Sequence, residues 1–249
     1  MRPWIYWRGK SKKTTIMPQE KLALVIPCYN PPENWHHNLI RCFNEFCNGI
    51  GSACKLILIN DGSESGIRPE HIEEIKQAIS DFKYISYQEN QGKGYALRKG
   101  IADVDEAIII TTDVDFPYTN DSMLRVYEAL KKNGGLVLGT RKKTYYRKVP
   151  FFRKLLSVSF RVTIRLFLKL EVDDTQCGLK GMDSRAAEVF LNTRIQGYLF
   201  DLEFVKLISA ENIKISRVDA ALKPDIKFTN MNPRILFRES ANLMKIIRG

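Results

Sequence analysis

Four short apolar runs, KLALVIP (21–27), KLILIN (55–60), KYISYQ (83–88) and EAIIITT (106–112), constrain this chain more than any other feature. Between them lie helix-like segments at about 33–48, 68–80 and 92–103. The runs are rich in β-branched residues and continuously apolar rather than strictly alternating, as expected of strands covered on both faces. The expected architecture is therefore α/β, a mostly parallel central sheet with helices on both faces. In such sheets ligands sit beyond the carboxyl ends of the strands, so the residues that follow each run are the first candidates for chemistry.

The second half continues less regularly. It predicts a helix over 121–132, a strand over 135–140 and a long helix over 151–170. A strand at 178–182, helices at 184–192 and 200–211, a strand at 213–222 and a terminal helix from Pro233 follow. The 249 residues, 44% hydrophobic, suffice for one large domain over 21–249, with a regular first half (21–140) and a less regular second half (141–249). Residues 1–20 read as a basic tail with Trp4, Tyr6 and Trp7 interleaved, able to act as an interfacial anchor. The net charge of +11 implies anionic partners: nucleotide phosphates, anionic lipid or nucleic acid. The five cysteines include no Cys-x-x-Cys pair, and His36, His37 and His71 do not join them in a zinc-ligand spacing. No secretory signal and no apolar stretch of membrane-spanning length is visible. The expected location is the cytoplasm, free or peripheral at the cytoplasmic face of a membrane.

Each strand end carries a polar or Gly-rich signal. After the first comes Pro27-Cys28-Tyr29-Asn30-Pro31-Pro32-Glu33, in which the prolines stop the strand and hold an extended turn. After the second comes Asn60-Asp61-Gly62-Ser63, where Asp61 offers a carboxylate that a base N–H could use. After the third, Gly92-Lys93-Gly94 opens a helix whose free N–H groups could face an anion, with Lys93 and Arg98 adding positive charge. That spacing is neither Gly-x-Gly-x-x-Gly nor a Walker A loop, which argues against a dinucleotide dehydrogenase and a P-loop ATPase. After the fourth, Asp113 and Asp115 stand two apart in Thr112-Asp113-Val114-Asp115, an arrangement suited to a divalent metal shared with a diphosphate.

In order, IPCYN, INDGS, NQGKGYALRKG, TTDVDFP, LGTR and DTQCGLKG resemble the family 2 inverting glycosyltransferases with a GT-A fold. Within that family the chain looks most like the polyprenyl-phosphate sugar synthases, the match covering about 21–222. The resemblance implies that Pro27, Tyr29 and Asp61 line the base and ribose of a nucleotide-sugar donor, with Lys93 nearby. It implies that Asp113 and Asp115 hold Mn2+ or Mg2+ and the diphosphate, and that Arg141 and Gln176 lie on the sugar and acceptor side. It also implies an acidic helix start in Phe200-Asp201-Leu202-Glu203. The family's Tyr-Asn-Glu is here Tyr29-Asn30-Pro31-Pro32-Glu33, which displaces the acid.

A hydroxyl acceptor needs a general base, and Asp201 and Glu203 are the candidates, Asp201 preferred. A lipid phosphate is already anionic and needs cations more than a base. In PFFRKLLSVSFRVTIRLFLKL (150–170), Lys154, Arg161 and Arg165 fall on one line opposite a broad apolar arc, as in a helix lying in a membrane interface or one packed on a core. The function expected is hexosyl transfer from a UDP- or GDP-sugar to a polyprenyl-phosphate type lipid. The alternatives are the same donor with a saccharide acceptor in cell-surface polysaccharide synthesis, and a basic nucleotide- or nucleic-acid-binding module. Against the last, no nucleic-acid motif is present, so a nucleic-acid partner is not expected.

Overall fold

The computed structural model describes residues 21–141 and 177–224, except 53 and 198. Within them the chain runs β1 (Leu22–Cys28), α1 (Trp35–Ile50), β2 (Cys54–Asp61), α2 (Pro69–Ala78), β3 (Phe82–Tyr87), α3 (Lys93–Ile101) and β4 (Ile108–Thr111). It continues through α4 (Asn120–Asn133), β5 (Leu136–Arg141), β6 (Lys180–Asp183), α5 (Ser184–Leu191), α6 (Phe200–Ala210) and β7 (Ile215–Ala220). The tail 1–20, the segment 150–170 and the expected terminal helix lie outside the described residues.

The strands form one seven-stranded sheet in the order β3-β2-β1-β4-β6-β5-β7. The mostly parallel α/β expectation holds, with β6 alone running against both its neighbours, β4 and β5. Strands β5 to β7, from the second half, extend the same sheet. Side-chain alternation divides the core. Leu22, Leu24 and Ile26 of β1, with Leu56 and Leu58 of β2, face a layer built from α1, α2 and α4. Ala23, Val25, Ile57 and Ile59 face the opposite layer of α3, α5 and α6. Each such Leu, Ile or Val side chain, fully buried, contributes about 1.5–3 kcal/mol, which explains why these strands read as continuous apolar runs. Helix α3 approaches closely because Gly100 has no side chain: a Cβ there would stand 2.6 Å from Ile59 Cδ1 and 2.7 Å from Val25 Cγ1.

Two elements are displaced from the expected bounds for local reasons. Helix α1 begins at Trp35 rather than 33, since Asn34 holds a left-handed conformation (φ 57°). Strand β4 is only the core of the expected 106–112, because Glu106 turns in to pair with Lys55 at 3.1 Å and Thr112 already leaves the ladder. The chain leaves β1 toward β2 and β3, then returns to β4 on the other side of β1. That reversal of strand order places a crevice at the carboxyl ends of β1 and β4, directly above the Asp113 loop.

Candidate active site

The loops after β1 and β2 are tied together. Asn30, at φ 43°, accepts from the Glu64 and Ser65 N–H groups at 2.9 and 3.2 Å, and its own N–H donates to Ser63 Oγ at 3.0 Å. This turn leaves Tyr29 48% exposed, a large aromatic face turned to solvent, while Pro27 is half-buried. An exposed tyrosine on a braced loop at the sheet mouth is suited to stacking on a planar ring.

Asp61 behaves differently from expectation. It is only 3% exposed, and its two carboxylate oxygens accept four hydrogen bonds: Tyr87 Oη at 2.8 Å, Asn90 Nδ2 at 2.9 Å, and the Gln91 and Gly92 N–H groups at 2.8 and 3.0 Å. Those four use its acceptor capacity, so Asp61 shapes the loop entering α3, and contact with a base would require exchanging one of them. The same bonds revise the reading of the glycine pair. The Gly92 N–H meets the Asp61 carboxylate and the Gly94 N–H the Gln196 carbonyl at 2.9 Å, so neither glycine N–H is open to an anion without exchanging that bond. The glycines admit the 195–197 backbone instead. A Cβ on Gly94 would lie 2.6 Å from the Ile195 carbonyl oxygen.

Lys93, by contrast, reaches across the crevice and pairs with Asp113 Oδ1. Burial works against its ammonium, but Asp113, Asp201 and Asp115 outweigh burial and hold its pKa above the ordinary lysine value. Asp113 shows the mirror of this. Burial pushes its carboxyl up, while Lys93, Lys180 and Arg141 draw it down further, so it lies below the usual carboxylate range. Asp115 is exposed, and its carboxyl is held above that range by partial burial and by the Asp113 charge. Its backbone is fixed from α1, where Asn38 Nδ2 donates to the Asp115 carbonyl at 3.1 Å. Gly178 backs Asp113 so closely that any Cβ there would collide with the carboxylate, and its N–H donates to Tyr118 Oη at 3.1 Å.

The candidate bases separate. Asp201, 5% exposed at the start of α6, pairs with Lys180 at 2.7 Å. Burial raises its proton affinity more than Lys180 and Lys93 lower it. Glu203 is engaged elsewhere: one carboxylate oxygen accepts the Arg194 and Ile195 N–H groups at 2.9 and 2.8 Å, bracing the turn that packs on α3. Bracing the turn is what the geometry shows of Glu203, whereas Asp201 joins the charged cluster.

Lys180 was not singled out in the sequence. It opens β6, faces Thr111 of β4 in the antiparallel register, and is 2% exposed. Because β6 is reversed, its first residue rises at the mouth where the other strands end. A lysine immediately after Asp-Thr-Gln-Cys-Gly-Leu, inside the expected strand 178–182, was the available signal. The site thus unites Lys93, Asp113, Asp115, Arg141, Lys180 and Asp201, with Tyr29 and Asp61 on the loops beside it. Gln176 lies outside the described residues.

The mostly parallel seven-stranded sheet, with its strand-order reversal and helices on both faces, has the GT-A type fold. Among solved structures the chain resembles glucosyl-3-phosphoglycerate synthase from Mycobacterium tuberculosis. In complex with UDP, that protein is 16% identical at a TM-score of 0.62, over 92% of this chain and 79% of the other. In complex with Mn2+, UDP and glucosyl-3-phosphoglycerate, it is 15% identical at a TM-score of 0.55, over 92% and 78%. Residues 23–190 match Glycosyl transferase family 2, and the chain belongs to that family. A dolichyl-phosphate beta-glucosyltransferase from Dictyostelium discoideum is 27% identical over 219 residues, 79% of this chain and 64% of the relative. An undecaprenyl-phosphate 4-deoxy-4-formamido-L-arabinose transferase from Salmonella paratyphi B is 29% identical over 163 residues, 66% of this chain and 49% of the relative. The chain spans less than two-thirds of the length of either relative. Among the described residues no helix is long and apolar enough to cross a membrane.

Proposed function

We propose that this chain transfers a hexose, with inversion, from a UDP- or GDP-sugar to the phosphate of a polyprenyl-type lipid. The observation that carries the reading is the set of charges at the sheet mouth: Asp113 and Asp115 beside Lys93, Arg141 and Lys180, which come from three further elements. The two acids fit a hard divalent cation. Their oxygen donors suit Mn2+ or Mg2+, Asp113 Oδ1 already holds a cation in the form of Lys93, and of the burial and the Asp113 repulsion that raise Asp115, a dication would relieve the second. Asp113 and Asp115 would hold that ion, and when bound it supplies Lewis-acid neutralisation of the leaving diphosphate.

The chain's own groups do the remaining work. Tyr29 stacks on the nucleotide base from its braced loop. Lys93, released from Asp113 when the donor enters, is placed to take a phosphate oxygen. Arg141, at the end of β5, directs its charge at Asp113 and so at the same diphosphate. Orientation of donor and acceptor in line supplies much of the rate, since the acceptor phosphate is anionic without a base. The relatives named for dolichyl and undecaprenyl phosphate support that acceptor. A lipid acceptor places the reaction at a membrane surface, and we assign the cytoplasmic face, with 150–170 as the contact.

One observation favours a second reading, a saccharide hydroxyl as acceptor. Buried Asp201 has a raised proton affinity, the property of a general base. The deciding experiment incubates UDP- and GDP-sugars with Mn2+, with and without a short polyprenyl phosphate. Formation of a glycosyl-phosphoryl lipid supports the proposal; turnover indifferent to the lipid but stimulated by a saccharide selects the second reading. No donor turnover under either condition overturns both.

A further inference from the structure

The chain has three histidines, and the fold gathers all of them on α1 and α2, outside the cluster of charges at the sheet mouth. His36 and His37 open α1, and their Nε2 atoms each lie 3.2 Å from the same carboxylate oxygen of Glu74, midway along α2. Neighbouring residues on a helix do not ordinarily face one another, so convergence of both rings on one oxygen of another helix is a specific arrangement. The His36 and His37 ring centroids are 4.0 Å apart. His36 is almost wholly buried and fixed from behind, stacked on His71 at 4.1 Å with an interplanar angle of 12°. His71 stands outside the converging group of His36, His37 and Glu74, and its Nε2 accepts from the Arg68 guanidinium at 2.9–3.1 Å. His36 Nδ1 is buried and finds no partner among the described residues, so only Nε2, aimed at Glu74, can do polar work.

We propose that His36, His37 and Glu74 form a second metal site, a clip for a zinc-class dication (Zn2+, with Co2+ and Ni2+ as substitutes) that joins α1 to α2. The three ligand atoms lie within 4.8 Å of one another. Tetrahedral zinc, with bonds of about 2.0–2.2 Å, needs ligand atoms about 3.3–3.6 Å apart, so the two 3.2 Å edges already nearly fit. The third edge closes by rotation of His37, whose side chain is 64% exposed and unconfined. Two neutral imidazoles with one carboxylate select borderline metals, whereas the all-oxygen pair Asp113 and Asp115 selects hard ones. The two sites therefore discriminate between metals, and the clip stands or falls independently of the transferase reading. It has a route to the mouth, because Asn38, the residue after His37, holds the Asp115 carbonyl.

The test uses the tag-free full chain, stripped of metal and titrated with Co2+ in excess Mg2+, which fills the oxygen site. The expected result is a one-equivalent visible ligand-field spectrum of low-coordinate cobalt, displaced by Zn2+. The affinity should fall by more than about tenfold in His37→Ala and in Glu74→Gln, since loss of even an outer-shell partner brings that much. Both substitutions are at exposed side chains, and circular dichroism of each variant confirms that it folds. Co2+ affinity unchanged in both variants overturns the proposal, as does an intense thiolate-to-cobalt charge-transfer band, which would place the metal on cysteine.

Discussion

Removing the Asp115 carboxylate leaves Asp113 still paired with Lys93 and takes away only the exposed half of the acidic pair. Asp115→Ala should therefore lower metal-dependent turnover by at least about 10²-fold, equivalent to roughly 3 kcal/mol of transition-state stabilisation. Thermal stability should move by less than about 0.5 kcal/mol, as for other surface changes; paired kinetics and melting curves check both. Asp201 carries the opposite signature. Its folded-state pKa is raised by burial, with Lys180, Lys93 and Asp113 the charges facing it. Between the ordinary aspartate value and the raised one the folded chain binds more protons than the unfolded chain. The stability Asp201 contributes is thus complete below the ordinary value and lost as pH rises through the raised one. Measured against Asp201→Asn, the wild-type melting temperature should show its greatest relative advantage in acid and lose it toward neutral pH. In the same variant, a turnover loss of 10²-fold or more would mark a hydroxyl acceptor and a mild loss a phosphate acceptor, as about 10²–10⁴-fold is what a general base supplies.

At the scale of elements, the start of α3 depends on a residue from β2. Asp61→Ala would strip acceptors from Tyr87 Oη, Asn90 Nδ2 and two backbone N–H groups at once. Destabilisation of about 3 kcal/mol or more is expected from buried donors left without partners. A urea titration measures it, and a change below about 1 kcal/mol would mean the loop finds other acceptors. Such dependencies also mark what the sequence can disclose. The apolar runs of β1 and β2 announced themselves because both faces are buried, and the acids after β4 because a strand end rarely carries two. The engagement of Asp61 and Glu203 was not legible, since a carboxylate's partners come from 30 and 31 residues away for the Gln91 and Gly92 N–H groups and from 8–9 residues away for the turn before α6. Local signals name a donor or acceptor but not where its bond goes. Lys180 was hidden for a related reason: a reversed strand is indistinguishable, by its own residues, from a parallel one.

At the scale of the whole molecule, the +11 charge and the cations Lys154, Arg161 and Arg165 are where the proposed membrane contact can be tested. Those three residues lie outside the described ones. Reversing their charge should weaken binding to anionic vesicles while leaving neutral vesicles unaffected, and added salt should mimic the substitution, because attraction at a surface is screened beyond about 8 Å at physiological ionic strength. Vesicle co-sedimentation reads the effect, and unchanged partitioning removes this stretch from the contact.

The reversed course of β6 has an evolutionary corollary. The chain quits β5 at Arg141 and re-enters the sheet at Lys180, with Leu138 and Lys180 in register, so exit and return lie side by side on the same rim. An intervening stretch anchored so can be lengthened, replaced or retuned without shifting a single strand. Under the proposed transferase reading, a change of acceptor written into that stretch need not disturb Lys93, Asp113 and Asp115, which other segments supply.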